Sequence, residues 1–231
     1  MIPVKPRFVI ESSVSGKRIL EHIEKCGRTC YKSEHKMNIN PEHVIASEAT
    51  KKFVRMIIAR GHESVLEHAS LTVRFICNRG VSHEEVRHRL CSFSQESTRY
   101  CNYTNDRHGG EIQIIENPPS WYDDERYGEG MGEKLYDEFN QAMMNAERHY
   151  FNLVEMGWKP EQARNVLPIG LKTEIMVTAN MRQWRLMFNQ RTAPTAHPQM
   201  RQLMKPLLKQ LKKIIPVIFE DIVVKEDDEF V

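Results

Sequence analysis

The sequence predicts a single α+β domain. Two observations carry that prediction. Segments whose apolar residues alternate, such as "SLTVRFIC", "EIQII" and "LKTEIMVTA", are mixed with segments of helical period, the longest from about residue 131 to 156. No internal repeat, low-complexity run or linker long enough to divide the chain interrupts them, and 231 residues suffice to bury a sizeable core. The elements follow in order.

"RFVIESSV" reads as a short strand, and "SGKRILEHIEKC" as a helix with Ile19, Leu20 and Ile23 on one face. "NPEHVIASEATKKFVRMIIARG" reads as one helix, with Asn40 as N-cap, Pro41 at the first helical position and Gly61 after the end. "SLTVRFIC" places Leu71, Val73 and Phe75 on one face of a half-buried strand, with Thr72 and Arg74 on the other. Gly80 breaks the chain. Ser82 and Glu85 have capping-box spacing, which predicts a short helix from about 83 to 90 with Arg87, His88 and Arg89 at its C-terminal end. "CSFSQESTRYCNYTNDRHGG" reads as a loop, "EIQII" as a strand and "PPSWYDDERYGEG" as a connector. The 131–156 helix carries Leu135, Phe139, Ala142, Met143, Ala146, Tyr150 and Leu153 at three-and-four spacing. "PEQARNVLP" is a helical turn stopped by Pro168, and "LKTEIMVTA" is a strand. "NMRQWRLMFNQR" and "PQMRQLMKPLLKQLKKII" are helices, the latter with Leu203, Leu207 and Leu211 in its stripe.

Composition narrows the function. The hydrophobic share of 40% against a charged share of 28% argues for a globular protein over a disordered one. A net charge of +2 gives no global basic field, so an anion site has to be local and a nucleic-acid partner is not expected. The N-terminus has no apolar signal core, and no stretch approaches a membrane span. Cys26, Cys30, Cys77, Cys91 and Cys101 are an odd set without a CxxC, which reads as free thiols in a reducing cytoplasm.

Two segments, "HEEVRH" and "HESVLEH", resemble the zinc-binding helix HExxH. The spacing fails, because His83 and His88 are five apart and His62 and His68 six, where one helical face needs four. Cys91 follows two arginines and a histidine, surroundings that lower a thiol pKa, yet no dedicated base is in view; an inert packed thiol is the better reading. "SQESTR" offers Ser97, Thr98 and Arg99 on a short loop. Guanidinium and hydroxyl groups can hold a phosphate there, although a solvated polar loop has the same composition. Arg164 in "ARNVLP" and Arg182, Arg185 and Arg191 in "ANMRQWRLMFNQR" add cations. Trp184, Leu186, Met187 and Phe188 crowd the latter, so some of those arginines should sit at a buried or interfacial edge.

Taken together, "RHRLCSFSQESTRY" resembles the signature of the flavin-dependent thymidylate synthases: Arg87-His88-Arg89, then seven residues, then Ser97. "RGHESVLEH" before it and "EQARNVLP", "TANMRQWRLMFNQR" and "AHPQMR" after it fit in the family's order, over roughly residues 5 to 220. The resemblance implies a central, twisted, mostly antiparallel sheet flanked by long helices, in a cytoplasmic homotetramer whose active sites combine several subunits. It implies reductive methylation of dUMP to dTMP without a protein cysteine nucleophile. Methylenetetrahydrofolate is the carbon donor, FAD carries the hydride and NADPH is the reductant.

By the same resemblance Arg87, His88 and Arg89 lie along the flavin. His62, Ser64, Glu67, Asn180 and Arg182 also meet FAD, and Leu186 stands where some relatives have a polar cofactor contact. Gln95, Ser97, Thr98 and Arg99 hold dUMP, with Gln95 shared with the cofactor and Arg87 with the substrate, and Arg164 adds a second guanidinium. Arg191 faces the uracil ring, stabilises charge developing at its N3–O edge and is the catalytic residue. Two positions depart from the pattern: Glu84 falls where relatives can carry glutamine near the nucleotide, and Cys30 stands at a spot often held by serine near the flavin. Two rivals follow from the residues. One is a nucleotide- or RNA-binding protein stacking bases on Tyr100, Tyr103 and Trp184. The other is a flavoprotein of this fold that has lost methyl transfer, for instance through Glu84.

Overall fold

The computed structural model describes residues 1–37, 39–105 and 109–224. Strand β1 (Ile2–Val4) leads through β2 (Arg7–Ile10) to helix α1 (Gly16–Thr29) and α2 (Glu48–Ala59). A 3-10 turn at Glu63–His68 precedes β3 (Ser70–Asn78) and the short α3 (Arg79–Glu85). Next come β4 (Ser92–Gln95), β5 (Gln113–Ile115), α4 (Asp124–Tyr127) and the long α5 (Met131–Glu155). The chain finishes with α6 (Pro160–Ala163), a 3-10 turn at Arg164–Val166, β6 (Lys172–Asn180), α7 (Met181–Arg191), α8 (Pro198–Ile214) and α9 (Pro216–Phe219).

The expected antiparallel sheet is present, four strands in the order β2-β3-β6-β4, beside a two-strand parallel pair of β1 and β5. Strict alternation on β6 buries Thr173, Ile175, Val177 and Ala179 and leaves Glu174, Met176 and Thr178 half-buried. Leu71, Val73 and Phe75 of β3 join the buried face, as the alternation predicts. Trp184, Met187 and Phe188 of α7 and Leu203, Leu207 and Leu211 of α8 belong to the same core. Each such side chain contributes about 1.5–3 kcal/mol by leaving water. The Trp184 indole N–H donates to the Leu71 carbonyl at 3.1 Å, fixing α7 against the sheet. The opposite sheet face is polar and open, with Arg74 paired to Glu11 and Glu174.

Helix α5 has the predicted length. Tyr150 of its stripe is buried and Phe139, Met143 and Leu153 pack, half-buried, into a second core cluster with Tyr103, Ile112 and Leu171, whereas Leu135 is 37% exposed.

Three boundaries differ from the sequence reading. Helix α2 starts at Glu48, capped by Ser47, whose Oγ accepts from the Thr50 N–H at 3.1 Å. Asn40 instead closes a turn by accepting from Glu42 N–H at 2.9 Å, because Asn-Pro is as good a turn starter as a helix starter. The helical end is as expected, with Gly61 at φ 70°. Helix α3 covers 79–85, not 83–90: Asn78 is the cap, accepting from Val81 N–H at 2.8 Å, and Gly80 lies inside the helix. Ser82 cannot cap, since its hydroxyl donates back to the Arg79 carbonyl at 3.0 Å. Arg87, His88 and Arg89 therefore lie in turns beyond the helix. Lastly, Ser92–Gln95 is strand β4, where a loop was expected. Phe93 supplies its one apolar contact to the core, and hydroxyl-rich sequence masks an edge strand whose outer face meets water. Residues 106–108 of that expected loop lie outside the described residues.

Candidate active site

Helices α3 and α7 leave from opposite ends of the β3–β6 ladder, where Asn78 pairs with Lys172 and Ser70 with Asn180. Asn180 caps α7 as Asn78 caps α3, its Oδ1 accepting from Gln183 N–H at 2.8 Å. The C-terminal ends of the two helices meet. There the Arg191 guanidinium donates to Glu84 Oε2 at 2.7 Å, to the Glu84 carbonyl at 3.0 Å and to His88 Nε2 at 3.0 Å. His88 accepts with Nε2 and is therefore neutral. Burial, and then the Arg191 charge, push its pKa down to about 4.

The exposed face of α7 presents Arg182, Leu186 and Asn189, spaced at one and two turns. They line a cleft of about 480 Å³ with Glu63, Glu67, Leu90, Asn180, Gln183 and Arg185. Arg182 spans its mouth, 2.7 Å from Glu67 and 3.4 Å from Glu63. Four of the residues expected along the flavin thus share one cleft: Glu67, Asn180, Arg182 and Leu186. His62 and Ser64 are exposed beside them at the 3-10 turn, and Cys30 is exposed at the end of α1. Arg87 and Arg89 are exposed and make no side-chain ion pair or hydrogen bond among the described residues.

A second set gathers where the 96–101 loop meets α6. Arg164 donates to Thr98 Oγ1 at 3.2 Å, and the Ser97 hydroxyl accepts from Arg99 N–H at 3.3 Å. Arg99 is exposed, loosely held 3.9 Å from Glu161 and lying over the Tyr100 ring at 5.4 Å. Two guanidinium groups and two hydroxyls are thus adjacent with weak, displaceable partners, the arrangement that a phosphate needs. Gln95 does not join them: its amide donates to Ser82 Oγ at 2.8 Å and Thr173 Oγ1 at 3.2 Å.

The residues present fit a flavin dinucleotide in part. The cleft has an apolar wall in Leu90 and Leu186 and a cation in Arg182, yet about 480 Å³ holds one end of such a molecule and not the whole. Sequence reading missed Glu63 and Asn189, although Glu63 stands one turn before Glu67 and Asn189 two turns after Arg182. It also missed Glu85, whose wholly buried carboxyl sits beside Glu84. The apolar phase of α3 points to it only once the helix is placed at 79–85.

Comparison with known proteins shows the family. A sequence profile of the thymidylate synthase complementing protein family matches residues 15–217. The flavin-dependent thymidylate synthase of Geobacter sulfurreducens is 35% identical over 195 residues, 84% of this chain and 78% of the relative. The probable flavin-dependent thymidylate synthase of Mycobacterium phage L5 is 33% identical over 211 residues, 87% and 80% respectively. The flavin-dependent thymidylate synthase of Pyrococcus furiosus is 31% identical over 178 residues, covering 75% and 68%.

Proposed function

The chain belongs to the flavin-dependent thymidylate synthase family, and from that premise we propose that it methylates dUMP reductively to dTMP, with methylenetetrahydrofolate as carbon donor and NADPH as reductant. The observation that carries this reading is helix α7. Its exposed face lines the cleft suited to a flavin, and its last residue, Arg191, ends among partners that an incoming nucleotide can displace.

When bound, FAD supplies the hydride that reduces the transferred carbon to a methyl group. The protein's own share is placement and electrostatics. Arg182, with Asn180 and Glu67, orients the cofactor at the start of α7, and His62 and Ser64 extend the same wall. Arg87 and Arg89, exposed and unpaired among the described residues, offer their guanidinium groups to cofactor and substrate phosphates, while neutral His88 holds the guanidinium of Arg191. Ser97, Thr98, Arg99 and Arg164 clamp the dUMP phosphate. Arg191 exchanges Glu84 for the uracil edge and stabilises the charge that develops there, where a fixed cation is worth most. Glu84 is ion-paired with Arg191 before that exchange, and its carboxylate, 34% exposed, is left to water after it. Gln95 reaches either ligand only by leaving Ser82 and Thr173.

No protein nucleophile is required. Burial pushes the Cys91 thiol up to about 11 and outweighs the opposing Gln183 contact. A homotetramer in which subunits share each site fits a cleft too small for the whole cofactor.

The test is anaerobic NADPH oxidation by the FAD-loaded protein, with and without dUMP, followed by addition of the folate. Stimulation by dUMP and formation of dTMP are the expected results. A flavoprotein indifferent to dUMP would defeat the synthase reading, and failure to take up FAD would favour a nucleotide-binding protein.

A further inference from the structure

Glu85 has no part in the reaction as described, yet its placement is unusual. Its side chain is wholly buried, with 0% of its surface exposed, and neither carboxylate oxygen has a hydrogen-bond partner among the described residues. An ionised carboxylate left unpaired in a protein interior is among the most costly arrangements a fold can hold. Such a group stays protonated, and an apolar residue would fill the position without that cost. Glu84 and Glu85 are neighbours on α3, so their side chains diverge by about 100° around the helix axis. Arg191 bonds the first and not the second, while its charge still acts on both.

We propose that Glu85 is a positioning residue for Arg191: uncharged, it leaves the guanidinium on partners that dUMP can displace, and on ionising it becomes a second, buried carboxylate that retains Arg191 and weakens nucleotide binding. The proposal rests on the reading of Arg191 as the dUMP-facing residue.

The groups around Glu85 leave it as the one that changes charge near neutral pH. Arg191 approaches from α7 and is always cationic, and Glu84 is the ion-paired neighbour on α3. His88, in the following turn, titrates at about 4. Cys77 of β3 is pushed well above its usual value, and Cys91 up to about 11, in both cases by burial first and by Glu85 as a further cause. Glu85 itself is raised to about 8, mainly by burial and further by Glu84, with Arg191 opposing. Its proton therefore leaves well above the range of His88 and below that of the two thiols. Above that pH a guanidinium faces two carboxylates in a poorly solvated place, where attraction is strong.

The experiment uses Glu85→Gln and Glu85→Leu in the full-length, FAD-loaded protein. The dissociation constant for dUMP is measured at pH 7 and pH 9. Separately, glutamate carboxyl carbons are titrated by carbon-13 NMR without dUMP, the Glu85 signal being the one that Glu85→Gln removes. We expect the wild type to lose about tenfold more dUMP affinity between the two pH values than either variant, the scale of one charged hydrogen bond. The Glu85 signal should titrate near pH 8. Parallel pH dependence in wild type and variants overturns the proposal, as does a Glu85 signal titrating near the ordinary carboxylate value. If Glu85→Gln fails to fold, Glu85→Leu, which buries no polar group, gives the same comparison. A wild type that binds no dUMP at either pH overturns the reading of Arg191, and the proposal with it, a result distinct from parallel profiles.

Discussion

Two arginines of α7 meet carboxylates in opposite ways. Arg185, with 9% of its side chain exposed, grips Asp221 with both terminal nitrogens at 2.6 and 2.7 Å and also donates to the Ile218 carbonyl. This closed fork fastens α7 to the chain after α9. Arg191, 20% exposed, instead distributes its nitrogens over a carboxylate, a backbone carbonyl and a neutral imidazole. The first arrangement engages both terminal nitrogens and leaves only Nε, 3.8 Å from Glu63, on the side of the cleft. The second is held at one edge by groups that water or a ligand can replace. Pairing alone does not separate a structural arginine from a functional one, and neither does the exposure of the carboxylate, since Asp221 is 50% exposed; the burial of the guanidinium and the way its nitrogens are shared out do.

Arg191→Ala is the largest test of that distinction. Turnover should fall by about 10²- to 10³-fold, the usual cost of losing one preorganised donor to a developing negative charge. Folding and flavin content should persist, because Glu84 is exposed enough to be hydrated alone. Near-normal turnover would remove Arg191 from the catalytic role.

Arg185→Ala should show the converse. Stability should drop by about 1.5–3 kcal/mol, from the loss of charged hydrogen bonds to the half-exposed Asp221 and to Ile218, while turnover per flavin-loaded molecule falls far less than in Arg191→Ala. Its pH signature is also specific. The Arg185 hydrogen bond holds the Asp221 carboxyl below its usual value against the opposing effect of burial. A lowered folded-state pKa gives stability that is present above the unfolded value of 3.8 and lost as pH falls through the folded one. Wild type should therefore lose stability more steeply than the variant as pH drops below about 4. Thermal melts across that range check it, and equal slopes would show that the pair contributes nothing.

Arg99→Ala addresses an arginine of the replaceable kind away from α7. Its partners are weak, so the phosphate is its proposed use. Calorimetry should find dUMP binding weaker by about 1.5–3 kcal/mol. Unchanged affinity would dismiss the phosphate clamp and leave a polar loop.

Much of this was legible in the sequence, for identifiable reasons. Period-two alternation places β3 and β6, and the 3.6-residue period places α1, α5, α7 and α8. These patterns come from burial of one face, which sequence records directly. Boundaries fared worse where two local signals competed. Asn40 and Ser47 are both good caps, and what separates them is the tertiary packing that leaves Val44 90% exposed. Gly80 looks like a break but is tolerated inside α3 because Asn78 caps the helix two residues earlier. The motif residues were identifiable as types, and the structure brings Ser97, Thr98, Arg99 and Arg164 together, and Arg191 with Glu84 and His88. That Gln95 turns inward and Glu85 is buried unpaired depends on the phase of α3 and on the register of β4 against β6, neither of which the one-dimensional pattern fixes.

The smallest expected effect belongs to Cys91, which sits beside α7 with its Sγ 3.6 Å from Met187 Sδ. Burial raises its thiol to about 11, which disfavours the thiolate, whereas a guanidinium is always charged. Cys91→Ala should keep dTMP formation within about twofold of wild type and cost about 1 kcal/mol of stability, as for a small loss of packing. Steady-state dTMP formation together with a thermal melt separates the two effects. A folded Cys91→Ala that binds FAD and dUMP yet forms no dTMP would move the chemistry from the charge at the end of α7 to the sulfur packed beside it, and the contrast between Arg185 and Arg191 would no longer explain catalysis.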